Sequence, residues 1–136
     1  MAARSFPVRL IAVVNTVAAL LHVGFWLAVI VQLRSAAPGP APEASIPTLY
    51  GFGIADLLWS APLLAASAVG LWRGRFWGWL LAQWCNVLYG YSLTVVFVRD
   101  FHSGELSPGG ILFLPFALFG IWSSLYLWKH RRVFFD

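Results

Sequence analysis

Four apolar stretches, each long enough to cross a lipid bilayer, follow one another along this chain. They cover residues 10–33, 48–72, 76–98 and 109–128, and a membrane-spanning helix needs about 20 mostly apolar residues. The alternation of apolar and polar residues that is typical of membrane β-barrel strands is absent from them. Because an unpaired backbone group is costly in hydrocarbon, these stretches are predicted to be α-helices, which satisfy their hydrogen bonds internally.

The scarcity of charge excludes several other classes of protein. Charged residues make up 10% of the 136 residues and hydrophobic residues 60%, whereas a soluble domain has about 25% charged residues. This composition excludes a soluble enzyme and a disordered chain, and the single cysteine, Cys85, excludes a disulfide scaffold. The net charge of +4 rests on nine basic residues, too few to follow a nucleic-acid backbone. We therefore predict an integral membrane protein that does not bind nucleic acid.

The connections between the stretches predict how the helices are arranged. The Arg-Gly-Arg segment at 73–75 is so short that the second and third helices should form an antiparallel hairpin. The Ala- and Pro-rich segment at 35–45 is predicted to be an exposed loop. The first stretch, at about 24 residues, exceeds the core of a signal peptide, so a membrane anchor is favoured over a cleaved leader. We predict an all-α, up-down-up-down bundle of four transmembrane helices, forming one domain over residues 1–136.

The charges between the stretches are distributed asymmetrically. Seven basic residues and one acid lie on one side, and two basic residues and three acids lie on the other. The first side carries Arg4, Arg9, Arg73, Arg75, Lys129, Arg131, Arg132 and Asp136, and the second carries Arg34, Glu43, Arg99, Asp100 and Glu105. The positive-inside rule then predicts that both termini face the cytoplasm, from the plasma membrane or a bacterial inner membrane. The basic tail at 129–132 is predicted to contact anionic lipid headgroups there.

Few polar groups lie deep inside the predicted spans. Asp56 is the only charged residue there, about 12 Å below the outer end of its span at 1.5 Å per residue. His22 is the only histidine there, and Asn86, Ser60 and Tyr89 come to a similar depth. Spacings of three, four and seven residues place polar or small residues on one stripe of each of the first three helices. The stripes consist of Asn15, His22 and Trp26 on the first helix, Gly53, Asp56, Ser60 and Ser67 on the second, and Gln83, Asn86, Gly90 and Thr94 on the third. Because a polar group facing lipid is costly, these stripes are predicted to turn inward. A deep indole N–H, such as that of Trp26, is expected to find an acceptor in Asp56, Ser60 or a freed carbonyl.

Aromatic residues take the place of the polar stripe on the fourth span. Phe119, Trp122 and Tyr126 recur there at helical spacing and predict an apolar wall beside the polar layer. The predicted ligand-binding residues are Asp56, His22, Asn86, Tyr89, Ser60, Trp59, Trp122 and Phe119. Asp56 and His22 are also the candidates for acid–base chemistry.

Two prolines interrupt the predicted helices. Pro62 lies less than two turns after Asp56, and Pro115 lies in the fourth span. Since proline lacks an N–H, each is expected to bend its helix or to leave a carbonyl free, that of Leu58 or that of Ile111.

Three functions fit this pattern. The preferred one is a membrane pocket that binds a small lipophilic or cationic molecule, whether or not it also acts on it. The second is a proton-coupled transporter working as a homo-oligomer, in which Asp56 exchanges a proton for substrate. The third is a non-catalytic membrane subunit, in which Asp56 is a clasp that accepts hydrogen bonds from His22, Trp59 or Tyr89.

The sequence contains no catalytic motif of several residues, so it does not decide whether the chain is an enzyme. No cofactor is predicted. No metal site is predicted either, because His102 and Glu105 in the second outer loop are too few ligands.

Overall fold

A computed structural model describes residues 5–35, 45–104, 106 and 108–135, without the side chains of residues 33, 35, 45–48, 108 and 109. All of its regular elements are helical. In chain order they are α1 (Phe6–Ser35), α2 (Ser45–Ala55), a π segment (Asp56–Ser60), α3 (Ala61–Trp72), α4 (Phe76–Ser103), α5 (Pro108–Lys129) and a 3₁₀ turn (Arg131–Phe134).

Within the described residues, four helical stretches are long and apolar enough to cross a membrane. They cover Phe6–Gln32, Leu49–Trp72, Phe76–Ser103 and Gly110–Lys129. The prediction of an all-helical chain with four such helices is confirmed. The helices around the first and third spans are longer than predicted, because helical hydrogen bonding continues past the apolar residues into polar ones such as Arg9 and His102.

Several residues used in the charge argument lie outside the described part of the chain. These are Arg4, Glu43, Glu105 and Asp136. Residues 36–44, most of the predicted loop at 35–45, also lie outside it.

The helices pack in sequence along the chain. The main contacts are between α1 and α3, between α3 and α4, and between α4 and α5. α3 and α4 approach most closely where Gly70 meets Gly78, since a Cβ on either glycine would collide with the backbone of the other. Gly74, in the turn between these helices, has a φ of 63°, which glycine adopts without strain.

Buried apolar residues form two clusters. The end cluster joins the start of α1, the end of α3, the start of α4 and the end of α5. It consists of Val8, Ile11, Ala12, Ala68, Leu71, Trp79, Ala82, Leu127 and Phe134. The middle cluster lies farther along the helices and consists of Ala18, Ala19, Leu64, Cys85 and Tyr89. Because Phe134 belongs to the end cluster, the C-terminal tail packs against the helices.

The second span is not one regular α-helix. The N–H of Ala61 donates to the carbonyl of Asp56, five residues earlier, so the turn before Pro62 is π-helical. Pro62 has no N–H to offer the carbonyl of Leu58, and a one-turn π bulge accommodates that loss. The expected disturbance at Pro62 therefore takes the form of a widened turn that contains both Asp56 and Ser60. By contrast, Pro115 lies inside α5, which runs from Pro108 to Lys129.

Candidate ligand-binding groove

A groove of about 460 Å³ opens between the second span and α4. Among the described residues, α4 packs extensively against α3 but makes few contacts with α2. The groove lies between α2 and α4, where the close packing ends. Its lining residues are Gly51, Phe52, Ala55, Asp56, Trp59, Ser60, Leu88, Tyr91 and Ser92. The π segment supplies the polar part of this lining, with Asp56 and Ser60.

Neutral donors hold the carboxyl group of Asp56 in place. The indole Nε1 of Trp26 donates to Oδ2 at 2.8 Å, and the hydroxyl of Ser60 donates to Oδ1 at 2.8 Å. The one ion pair within the described residues joins Arg99 to Asp100, so no basic side chain there neutralises Asp56. A carboxylate has about four lone-pair sites, so acceptor capacity remains for a ligand in the groove.

Trp26 reaches Asp56 because Gly53 leaves room for its ring. A Cβ at Gly53 would lie 2.7 Å from Cε3 of Trp26, closer than carbon atoms approach. The indole is buried, at 6% exposure, although it lies on a helix whose other faces are largely exposed. The bond from Trp26 to Asp56 therefore ties α1 to the π segment and sets the orientation of the carboxyl group.

Exposed aromatic side chains surround the opening of the groove. Trp59 is 68% exposed, Tyr91 58% and Phe52 41%. In a helix that crosses a membrane, such surfaces face lipid. The groove therefore opens at the exposed side of the helices, between these aromatic rings.

Tyr89 belongs to a separate, buried network. Its hydroxyl donates to Oδ1 of Asn15 at 2.9 Å, and Nδ2 of Asn15 donates to the hydroxyl of Ser67 at 2.8 Å. The Ser67 hydroxyl donates in turn to the carbonyl of Leu64. These bonds join α1, α3 and α4, and all three side chains are buried. Asn15 and Ser67 were predicted on the polar stripes but not as site residues.

The other predicted site residues do not line the groove. Nδ1 of His22 is 2.9 Å from the carbonyl of Ala18, and its ring meets the edge of Phe113. Asn86 is buried where α4 meets Gly120 of α5. The rings of Phe119 and Trp122 lie 5.3 Å apart on α5, tilted by 44° to each other. Of the eight predicted residues, the structure brings together Asp56, Ser60 and Trp59 at the groove.

The donors predicted for a clasp at Asp56 are corrected by the structure. His22 and Tyr89 bond elsewhere, and Trp59 lies at the rim of the groove with its side chain exposed. The donors are Trp26 and Ser60 instead, so the expectation that a deep indole N–H finds an acceptor in Asp56 is confirmed for Trp26. The depth of a residue along a helix is readable from the sequence, but the direction of its side chain around the axis depends on how the helices pack.

The groove residues that the sequence reasoning missed are mostly aromatic or small. Phe52 lies four residues before Asp56, a spacing that places the two on one helix face. This pattern was available in the sequence. The contribution of α4, through Leu88, Tyr91 and Ser92, had no comparable signal, because these residues fall outside the polar stripe of that helix.

Within the described part of the chain, no group of three metal-ligating side chains comes together. Comparison with known proteins adds no further guide: no protein-family model, curated protein or solved structure matches this chain. The fold and the groove define a helical protein of the multi-pass membrane type with a lateral, acid-containing groove, and its function has to be inferred from the chemistry of that groove.

Proposed function

We propose that this protein binds a lipophilic cation in the groove at Asp56, taking it up sideways from the bilayer. The observation that carries the proposal is the Asp56 carboxyl group, which lines an apolar groove and is held by neutral donors alone. An acid within a membrane span is expensive to maintain and is most often functional. A bound cation would supply the missing countercharge.

The size and the walls of the groove suit such a ligand. Its volume of about 460 Å³ is within the range of about 300–1,000 Å³ that is common for small-molecule sites. Trp59 and Tyr91 offer aromatic faces, which attract cations, and Phe52 and Leu88 offer apolar contacts for a hydrocarbon chain. The ligand class that fits is an amine or quaternary ammonium with an apolar tail.

We infer that the four spans form an up-down-up-down bundle in one domain, with both termini in the cytoplasm. Contacts between the chain ends support this topology. The hydroxyls of Ser5 and Tyr126 are 3.3 Å apart, and Trp79, at the start of α4, donates to the carbonyl of Leu127 near the end of α5. In that orientation Asp56 lies in the half of the span nearer the outer surface, so the groove opens toward the outer leaflet.

The structure favours a groove that is closed toward the other end of the helices over a transport path through one copy of the chain. Leu64, only 1% exposed, lies one turn beyond Ser60 in the middle cluster, and Ser67 of the buried network follows three residues later. Such packed apolar side chains interrupt any polar track from Asp56 toward the other end. Proton-coupled transport and assembly into a homo-oligomer stay predictions from the sequence.

The proposal is tested with two probes of equal chain length, dodecyltrimethylammonium and the neutral dodecanol. Binding to the purified protein in nanodiscs is measured by equilibrium dialysis. The wild type is expected to prefer the cation, and Asp56→Asn is expected to lose that preference while retaining dodecanol. Equal binding of the two probes by the wild type would overturn the proposal.

A matched pair of tryptophan variants locates the site. Trp59→Leu removes an aromatic face at the rim of the groove, and Trp84→Leu removes another exposed tryptophan, on α4, that is not among the groove residues. The first variant is expected to weaken binding of dodecyltrimethylammonium, and the second is expected to leave it unchanged. If both variants bind as the wild type does, the cation does not occupy the groove.

A further inference from the structure

Three separate segments of the chain bring basic side chains to one end of the bundle. These are the start of α1, the turn between α3 and α4, and the end of α5 with the 3₁₀ turn. Their basic residues are Arg9, Arg73, Arg75, Lys129, Arg131 and Arg132, all of which are exposed. We refer to these six residues as the basic end.

Packing of the C-terminal tail creates this juxtaposition. Phe134 is 4% exposed within the end cluster, where it joins Val8 and Trp79. The ring of Phe135 lies 4.8 Å from that of Phe76, which directly follows Arg75. Arg131 and Arg132 are therefore held beside the turn at 73–75 and do not extend away as a free tail.

The charges of the basic end have no acidic partner within the described residues. The only acids among the described residues are Asp56, in the groove, and Asp100, near the end of α4 that lies opposite the basic end. Two of the arginines pack instead on tryptophan rings. The guanidinium of Arg9 lies 6.0 Å from the ring of Trp72, and that of Arg131 lies 5.1 Å from the ring of Trp128. Cations and exposed indoles thus share one level, as they do where helices leave the hydrocarbon.

We propose that the basic end binds the phosphate of an anionic glycerophospholipid, with its acyl chains along the neighbouring tryptophans. Five of the six cations are arginine, whose planar guanidinium forms paired hydrogen bonds with phosphate oxygens. The exposed faces of Trp72, Trp77 and Trp128 provide an apolar surface beside those charges. A free phosphate ion would use the charges but not the tryptophans, which is why the lipid is the favoured ligand.

Native mass spectrometry of the full chain, released from mixed micelles of phosphatidylglycerol and phosphatidylcholine, tests this site. The wild type is expected to retain phosphatidylglycerol in preference to phosphatidylcholine. The triple variant Arg73→Gln, Arg75→Gln, Arg132→Gln is expected to lose about fivefold in affinity for each cation removed. Arg34→Gln, which removes an exposed charge at the far end of α1, serves as the matched control and should retain phosphatidylglycerol as the wild type does.

Three results would overturn the proposal. They are equal retention of the two lipids by the wild type, undiminished retention of phosphatidylglycerol by the triple variant, and displacement of the lipid by excess inorganic phosphate. All the substituted side chains are exposed, so circular dichroism should show the same helix content in each variant. Failure of this site would leave the groove at Asp56 untouched, since the two lie at different levels and use different residues.

Discussion

The indole of Trp26 donates a hydrogen bond to the carboxyl group of Asp56 at 2.8 Å, and this bond links α1 to the widened turn beside the groove. It joins residues 30 positions apart and orients the acid that carries the proposed function. A hydrogen bond to a charged group contributes more to stability than one between neutral groups, by a factor of about two.

Replacing Trp26 by phenylalanine should destabilise the protein. The variant keeps most of the ring but removes the indole N–H that donates to Oδ2 of Asp56, leaving that oxygen partly unsatisfied. A loss of about 1–3 kcal/mol in the free energy of unfolding is expected, as measured by denaturant titration in detergent. Trp84→Phe, at an exposed position of α4, is the control and should change stability little. Equal stability of the two variants would contradict a structural role for the bond.

Adding a methyl group at Gly53 should displace the Trp26 ring. The new Cβ would lie 2.7 Å from Cε3 of the indole, so Gly53→Ala is expected to cost about 1–3 kcal/mol through overpacking. It should also weaken binding of dodecyltrimethylammonium, because the carboxyl group loses its orientation. Gly24→Ala is the matched control, since a Cβ there meets nothing within 4 Å. A Gly53→Ala protein as stable as Gly24→Ala would show that the indole is free to move.

Removing the hydroxyl of Tyr89 should affect stability without affecting the groove. Tyr89→Phe leaves Oδ1 of Asn15 buried without its donor, for an expected cost of about 1–3 kcal/mol. Binding of dodecyltrimethylammonium should be unchanged, because Tyr89 is not among the groove residues. Tyr91→Phe, two residues further along α4 and exposed, should leave the free energy of unfolding unchanged. A loss of cation binding in Tyr89→Phe would place the ligand deeper than we propose.

Replacing Pro62 by alanine should change the shape of the groove. The variant offers an N–H to the carbonyl of Leu58, so the π segment is expected to revert to α-helix and to rotate Asp56 relative to α4. Dodecyltrimethylammonium binding should fall, while unfolding stability should stay equal or rise. Pro115→Ala restores the corresponding backbone N–H in α5, away from the groove, and should leave binding as in the wild type. Unchanged binding in both variants would mean that the π segment does not shape the site.

Part of the candidate site was predictable from residue spacing. Asp56 stood out as the only acid inside a span, and Ser60 and Trp59 follow it within one turn. His22 and Asn86 were predicted to lie at a depth similar to that of Asp56. In the structure they contact Ala18 and α5 and do not line the groove. Depth along a helix follows from counting residues, but a direction around the axis requires knowledge of which neighbours pack on each face.

The four spans, their apolar character and the isolation of Asp56 were determined by the sequence alone, because hydrocarbon admits helices and penalises charge wherever they occur. The groove was decided by tertiary structure. Beside the turn that Pro62 widens locally, it needs the space that Gly53 leaves for Trp26 and the lack of close packing between α2 and α4. The basic end likewise depends on Phe134 and Phe135 packing against residues more than 50 positions earlier, such as Phe76. Such contacts join distant parts of the chain, and no local pattern of residues encodes them.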